Sequence, residues 1–381
     1  MFLETPLDFP WKSVYNADAA QTEAILRKEL PVETKLLAAS PESIALGAEL
    51  LRKGELVAFP TETVYGLGAN AFDSTAVRNI FAAKGRPADN PLIVHVWSRD
   101  QLADICEAPP LAEKLMDAFW PGPLTLLMPR KSQIPLVVTA SLPTVAVRMP
   151  SHPVAAALLK ACNVPVAAPS ANRSGKPSPT AAKHVMEDME GRIPLILDGG
   201  DCEVGVESTV LDISGEVPCI LRPGGITKGM LERVLPRVDV AGSVLRPLQP
   251  GEKALSPGMR YKHYAPAGAV TLVEGEERQV VAACRALYKQ AEAEGKRACV
   301  LCFTEHALEL ADCRVEALGS KAHPEEVAHR LFALLRDMDE TGMEAIFSEV
   351  LPPEGVGLAV MNRLGRAAAF HSVQAAQVLE G

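Results

Sequence analysis

The chain has 381 residues, 48% of them hydrophobic and 22% charged, with a formal net charge of −9. That length favours two domains, each able to bury its own core. The acidic balance excludes a surface that attracts nucleic acid as a whole, so any RNA contact needs a local basic patch; no run of about 18 apolar residues is present to span a membrane.

The opening residues, MFLETPLDFPWK, lack the basic and apolar regions of a secretory leader. The eight cysteines (Cys106, Cys162, Cys202, Cys219, Cys284, Cys299, Cys302 and Cys313) therefore read as reduced thiols of a cytoplasmic protein. Cys299 and Cys302 form a C-x-x-C, but inside the apolar run 298–303 and without a second ligand pair at zinc spacing, so the run reads as a core strand.

Residues 1–40 read as a Pro-punctuated extension with a helical segment near 18–29 and no assignable chemistry. An amphipathic helix is expected over 41–53, with Pro41 in its first turn and Ile44, Leu46, Ala48, Leu50 and Leu51 on or near the buried side. Residues 56–59 read as a buried strand closed by Pro60. A polar loop follows, with Thr61, Glu62, Thr63, Gly66 and Gly68. Ser74 is placed to cap the next helix, which carries Ala76, Val77, Ile80 and Phe81 at helical spacing and stops at Lys84-Gly85-Arg86-Pro87. Asp89-Asn90-Pro91 turns into a second apolar strand, 92–97, interrupted by His95. Polar loops at strand ends are where open α/β sheets bind ligands. Two cations, an amide and several hydroxyls there suit a phosphate-bearing ligand, although no Walker A loop occurs in the chain.

Helices are expected over 98–107 and 111–119, and strands over 124–128 and 144–150. In the latter Val145 and Val147 share one face, while Arg148 shares the other with Ala146. Arg148 is then either a rim residue or an anion ligand. A helix over 152–162 leads to a strand, 164–168, that runs into Pro169-Ser-Ala-Asn-Arg-Ser-Gly-Lys-Pro-Ser-Pro179. That loop reads as a plain turn cluster or, from its place after a buried strand, as a second ligand loop. Thr180 is placed to cap a helix reaching about 190. Strands follow near 193–197, 208–213 and 219–221, the last ending in Arg222-Pro-Gly-Gly225, a third candidate phosphate cradle; a helix over 227–235 closes the unit.

Residues 236–258, rich in Pro and Gly, mark the domain boundary. The segment 256–266, SPGMRYKHYAP, clusters two Tyr, a His, a Lys and an Arg, which suits contact with the first domain or its ligand. From 267 the pattern alternates βα: strands at 269–273, 297–303, near 314 and 345–351, and helices at 277–294, 324–340 and 358–370. Val327, Leu331, Leu334, Leu335 and Met338 point inward from the second helix. This reads as a small doubly wound domain without a G-x-G-x-x-G fingerprint, in a regulatory, docking or lid role.

The ordered motifs Pro60-Thr-Glu-Thr-Val-Tyr-Gly-Leu67, Lys84-Gly-Arg-Pro87, Asn90-Pro-Leu-Ile-Val-His95, Val145-Ala-Val-Arg-Met-Pro150, Ala168-Pro-Ser-Ala-Asn172 and Ser208-Thr-Val resemble the YrdC family. Ser256-Pro-Gly-Met259 with His263-Tyr264 and the appended domain resemble its long two-domain form. The resemblance implies an α/β fold: a YrdC-like twisted mixed sheet with flanking helices, of α+β character, plus a small Rossmann-like C-terminal domain. It implies an extension over 1–35, a catalytic domain over 36–235, a linker or lid over 236–266 and an accessory domain over 267–381.

The activity implied is L-threonylcarbamoyladenylate synthase, a nucleotidyltransferase that joins L-threonine, bicarbonate or CO2, and ATP and releases pyrophosphate. Its product feeds threonylcarbamoyl transferase proteins that modify tRNA. By the same resemblance Lys84 and Arg86 are catalytic. Lys84, Arg86, Asn90, Thr144, Ser170, Ser178, Arg222 and Tyr264 bind ATP, with His263 beside Tyr264 as the linker folds back. Thr63, His95, Arg148, Ala168 and Ser208 hold threonine, and Mg2+ rides on the phosphates, with no protein metal ligands.

Read from the residues alone, a lone His in a strand is usually a satisfied core group and Ser178 an ordinary loop residue. Glu62 and Glu207 read better as partners of nearby cations than as general bases. The alternative function is a double-stranded-RNA or tRNA-binding maturation factor tracking phosphates along Lys84, Arg86, Arg148, Lys176 and Arg222.

Overall fold

The computed structural model describes residues 32–247 and 264–380. The helix expected near 18–29 and most of the 256–266 segment, His263 included, lie outside the described residues. Two sheets organise the chain. The first contains β1 (Lys35–Ala38), β2 (Val57–Phe59), β3 (Gly66–Asn70), β4 (Ile93–His95), β5 (Leu124–Pro129), β6 (Thr144–Arg148), β7 (Val166–Ala167), β8 (Leu195–Asp198), β9 (Thr209–Asp212), β10 (Cys219–Arg222) and β11 (Asp239–Val240). Their spatial order is β1-β8-β2-β3-β7-β4-β6-β5-β9-β10-β11, with parallel and antiparallel pairs mixed. The second sheet contains β12 (Ala269–Glu274), β13 (Ala298–Cys302), β14 (Val315–Ala317), β15 (Ala345–Ser348) and β16 (Ser372–Gln374), in the order β14-β13-β15-β12-β16 with every pair parallel. The expected mixed sheet and doubly wound domain are both present.

Strand β13 is buried along its whole length, as a parallel strand covered on both faces must be. Cys299 packs into the cluster on one face and Cys302 into the cluster on the other. The C-x-x-C therefore splits across the sheet, and all eight cysteines are free.

Several local expectations shift. The helix Ser74–Lys84 is capped by Asp73, not Ser74: the Asp73 carboxylate accepts from the Thr75 and Ala76 N–H groups, and a carboxylate there also meets the positive end of the helix dipole. Gly85 ends that helix in the left-handed region. Thr180 does not cap its helix; Ala182–Met189 starts after Ala181 with no side-chain cap, and the Thr180 N–H donates to His184 Nδ1 instead. Leu46 lies on the outer side of Pro41–Arg52 and is 37% exposed. The 98–107 helix divides into a 3-10 turn, Arg99–Gln101, and a short helix, Leu102–Ile105. Gly66 and Gly68, read as loop, belong to β3 in a hairpin with β2. A Cβ on Gly68 would sit 2.8 Å from Phe59 and from Val166, so glycine there permits close packing against the sheet face.

Period-2 alternation divides the first sheet into two faces. One buries Ala58, Leu67, Val94, Leu126, Val147 and Leu211 in the largest core cluster. On the other, the β1-β8-β2-β3-β7 half is covered by residues of the helices Pro41–Arg52 and Pro153–Cys162, such as Ala48, Leu51, Leu158 and Leu159. Its remaining half carries only a small apolar group, Ile93, Leu127, Ala146, Val210 and Leu221. The candidate site lies on that sparsely covered half.

The second domain packs onto the first through an apolar cluster joining Val64, Val206 and Tyr264 to Phe332 and Leu331. Gly205, at φ +75°, brings the backbone against His329, and a Cβ there would lie 2.4 Å from His329 Cα. Arg336 reaches Asp188 at 2.7 Å, and Arg363 reaches Glu207 at 3.0 Å. None of the described helices is long and apolar enough to cross a membrane.

Candidate active site

The parallel register of β4 and β6 sets His95 directly beside Arg148. Both follow the face of Ile93 and Ala146, so both project toward the sparsely covered half of the sheet. Ser208 sits just before β9 and bonds Thr125 Oγ1 at 2.8 Å. Strict alternation would send Arg222 to the face of Ile220, inside the main core. A register shift between Ile220 and Arg222 re-aims it into the cleft. There its Nε and Nη2 donate to the Ser208 carbonyl at 3.1 and 2.9 Å, and Nη2 also to Ser208 Oγ at 3.1 Å.

One cleft is lined by Thr63, Lys84, Arg86, His95, Arg148, Ala168, Ser170, Ser208, Arg222 and Tyr264. Three loops and three strand ends are thus gathered in one place. Asn90, Thr144 and Ser178 stand outside its lining. Thr144 begins β6, on the face of Ala146 and Arg148, so the apolar strip of Ile93 and Ala146 connects it with the cleft. The Asn90 amide is fully buried and neither its nitrogen nor its oxygen has a hydrogen-bond partner. Ser178 is also fully buried and donates to Glu207 Oε1 at 2.5 Å. The Ala168 N–H is already taken by the Ile93 carbonyl at 2.9 Å. Lys176 does not join the cleft cations; it pairs with Asp188 at 3.0 Å.

Arg148 is 3% exposed and acts as a hub. Its Nη1 donates to Thr63 Oγ1 at 2.9 Å, and its Nη2 lies 2.8 Å from Glu62 Oε1, a close charge pair set off line for a hydrogen bond. Burial pushes the Glu62 carboxyl up, but the Arg148 charge and contact pull it net below its ordinary value. Glu207 behaves alike: burial raises it, and Arg363, Arg222 and the Ser178 hydroxyl together bring it below the usual carboxylate range. Both carboxylates nearest the cleft are therefore ionised and already engaged by arginines.

Lys84 is 3% exposed and has no carboxylate in contact; its Nζ donates to the Ser170 carbonyl and to the Asn172 carbonyl at 2.5 Å. Burial, then the Arg86 charge, hold its ammonium well below its ordinary value. Burial and Arg148 push His95 down to about 3, so the ring is neutral, with Nδ1 3.2 Å from the Ile93 carbonyl. Burial lowers Arg222 to about 10 and leaves it cationic. Tyr264, at φ +64°, packs its ring on Phe332 of the second domain with centroids 5.0 Å apart and closes one side of the cleft.

Lys84, Arg148 and Arg222 are buried in the cleft and do not form an open basic surface. Sequence reasoning missed Thr61, which bonds Thr63 Oγ1 at 2.9 Å, and Asn172, whose amide ties together the loop around Lys84. It also missed Arg363 of helix Gly355–Ala367, completely buried against Glu207. Its signal was present: Arg363 shares the apolar stripe of Val360, Leu364 and Ala367, where a solvated arginine does not belong.

Comparison with known proteins identifies the family. A Sua5/YciO/YrdC family model, described as telomere recombination, matches residues 49–224. A second, described as the threonylcarbamoyl-AMP synthase C-terminal domain, matches residues 226–369. The threonylcarbamoyl-AMP synthase of Pyrococcus abyssi is 46% identical over 332 residues, covering 87% of this chain and 95% of the relative. That of Bacillus subtilis is 48% identical over 337 residues, covering 88% and 95%. The crystal structure of P. abyssi Sua5 complexed with L-threonine superposes with a TM-score of 0.83 at 45% identity, covering 90% of this chain and 99% of that one. With sequence, domain order and fold matching over nearly the full length of these relatives, the chain belongs to the Sua5/YciO/YrdC family, in its two-domain form.

Proposed function

We infer that this chain makes L-threonylcarbamoyladenylate from L-threonine, bicarbonate or CO2, and ATP, releasing pyrophosphate. The observation that carries the reading is the cleft whose lining brings Arg148, Thr63, His95 and Ser208 together with Lys84, Arg86, Ser170 and Arg222. One set suits an amino acid, the other a polyphosphate. The relatives' shared name and the L-threonine bound by the P. abyssi protein support the same reading.

In this proposal the threonine carboxylate meets the Arg148 guanidinium, whose fork matches it in two prongs. The threonine nitrogen adds to CO2 and loses a proton, giving a carbamate. A carbamate oxygen then attacks the α-phosphorus; the bond to the β-phosphate bridging oxygen breaks, and pyrophosphate leaves with the electron pair. Lys84, Arg86 and Arg222 offset the repulsion between two anions and the charge growing on the leaving group. Holding both reactants in register can supply on the order of 7–11 kcal/mol of barrier lowering.

Asn90, with its unpartnered buried amide, and Ser178, behind Glu207, complete the nucleotide site. The base extends along Ile93 and Ala146 toward Thr144. Mg2+ enters on the ATP phosphates, because both nearby carboxylates are spent on arginines and Mg2+ gives up its waters reluctantly. Among the described residues no cluster of three His, Cys, Asp or Glu could hold a metal. We assign the catalytic unit to 36–235 and the accessory unit to 267–381. The product passes to threonylcarbamoyl transferase proteins acting on tRNA, which places the chain in the cytoplasm.

The test is to incubate the protein with ATP, L-threonine and bicarbonate and to follow pyrophosphate and the adenylate product. Release that requires both threonine and bicarbonate is expected. Release indifferent to threonine, or tight salt-sensitive tRNA binding without turnover, overturns the reading.

A further inference from the structure

We propose that Arg363, supplied by the C-terminal domain, is a positioning residue of the nucleotide site: it clamps the two chain segments that carry Ser208 and Arg222 and orients Glu207 toward Ser178. This rests on the reading of the cleft as an ATP site.

Arg363 is 0% exposed and heads the largest fully buried side chains of the molecule. Its donors go to two places in the first domain. Nε donates to Glu207 Oε2 at 3.0 Å and Nη2 to the Glu207 carbonyl at 3.3 Å; Nη1 donates to the Pro223 carbonyl at 2.5 Å. Glu207 immediately precedes Ser208, and Pro223 immediately follows Arg222. One guanidinium therefore grips the neighbours of both partners in the Arg222–Ser208 contact that faces the cleft. Glu207 divides its carboxylate, one oxygen to Arg363 and the other to Ser178 at 2.5 Å. Without Arg363, that carboxylate is free to rotate and to capture Arg222, the cation the phosphates need.

A plain docking bridge is the competing account. Buried ion pairs are poor sources of net stability next to apolar packing of the same volume. Docking here is already served by the cluster around Val206, Tyr264 and Phe332, by Arg336 on Asp188, and by His329 on the Glu203 carbonyl at 2.9 Å. A docking bridge also has no need to bond the two residues flanking the cleft pair.

The test uses the full chain. Arg363→Lys keeps the charge and loses the fork; Arg363→Ala loses both. Glu207→Gln with Arg363→Met removes the two buried charges together and protects against a folding defect caused by an unpaired carboxylate. His329→Ala is the docking control, removing an interdomain bond away from the cleft. Measurements are KM for ATP and for threonine, kcat for threonine-dependent pyrophosphate release, ATP affinity by calorimetry, and the melting temperature. Displacing a ligand-facing pair from its working geometry is expected to raise KM and Kd for ATP about tenfold or more in the Arg363 variants. KM for threonine is expected to rise less than KM for ATP, because of the clamped pair only Ser208 belongs to the threonine set, with Arg363→Lys milder than Arg363→Ala. The double variant is expected to recover the melting temperature but not the ATP affinity, and His329→Ala to leave both KM values unchanged.

Wild-type ATP affinity in the double variant, or KM values for both substrates rising together in step with the loss of melting temperature, overturns the proposal. If the wild-type chain releases no threonine-dependent pyrophosphate, the function proposed above fails, while the calorimetric ATP comparison still decides the part played by Arg363.

Discussion

Replacing Arg148 by alanine separates two duties of one guanidinium. Arg148 and Glu62 are 3% and 4% exposed, and their charged atoms stand 2.8 Å apart. Alanine leaves the Glu62 carboxylate buried with no cation, a loss of about 3–5 kcal/mol in folding free energy. For a domain of this size that is a fall of roughly 6–20 °C in melting temperature. Threonine separately loses the two-pronged contact to its carboxylate. Hydrogen bonds to a charged group are worth about 1.5–3 kcal/mol, so threonine affinity is expected to drop roughly 10- to 100-fold. ATP affinity is expected to fall less, because Arg148 is assigned to the threonine carboxylate and not to the phosphates. Glu62→Gln combined with Arg148→Ala neutralises the stranded carboxylate; it is expected to regain most of the stability and none of the threonine affinity. Thermal melts and calorimetric titration with each ligand read both effects. Recovery of threonine affinity in the double variant, or equal losses for threonine and ATP in the single one, refutes the assignment of Arg148 to the amino acid.

The opposite split is expected at the other wall: Lys84→Ala or Arg86→Ala lowers ATP affinity more than threonine affinity by the same titrations. Lys84 is held well below its ordinary value by burial and by Arg86, and arriving phosphates favour its charged form. ATP binding at alkaline pH below the ordinary lysine value of 10.5 is therefore expected to take up protons, seen as a heat that varies with the ionisation enthalpy of the buffer and is lost in Lys84→Ala; a buffer-independent heat in the wild type counts against the shift. Glu62 and Glu207 both sit below their ordinary value of 4.5 in the folded chain, so the stability they contribute is present above that pH and lost as pH falls through their lower folded values. Denaturant midpoints are expected to fall in that acid window, and less steeply in Glu207→Gln with Arg363→Met.

The legible parts of the fold were those governed by local pattern. Pro324–Glu340 shows its apolar stripe at 3.6-residue spacing, and β13 its continuous apolar run, so both elements are found where expected. Helix starts were read one residue off where two capping residues compete: Asp73 and Ser74 are adjacent, and the extended backbone at Asp73 decides. Gly66 and Gly68 look like loop residues because glycine's usual reason is a turn; at Gly68 the reason is Phe59 and Val166 pressing from other strands, and Val166 lies far outside any local window. Lys84 and Arg222 stood out as cations at the ends of apolar elements, whereas Thr63, His95, Arg148 and Ser208 were singled out by the family resemblance. Their gathering in one cleft was not legible, since it depends on the order β4-β6-β5-β9-β10 and on a bulge before Arg222. Arg363 depends on docking between domains, and its meaning exists only once Glu207 is seen 156 residues away.

The titration states in the cleft decide what kind of catalyst it can be. The threonine amine must lose a proton, so a general base is the natural thing to look for. His95, at about 3, lies roughly 5 units below an α-amino group, and proton transfer to it would run about 7 kcal/mol uphill. Glu62 and Glu207 are held below their ordinary value, and each is already paired with an arginine. Burial pushes Tyr264 up to about 12, so its phenol keeps its proton. Lys84 is drawn toward its neutral form, but its Nζ is turned to two carbonyls that require it to donate, and incoming phosphates restore its charge. None of these groups is set up to take the proton efficiently. On the proposed assignment, what the cleft provides instead is three fixed cations for the phosphates and a fourth for the amino-acid carboxylate, in a setting where two anions must be pressed together. Their mutual repulsion is the barrier the reaction meets, and fixed positive charge with rigid placement is the remedy that physical chemistry offers for it.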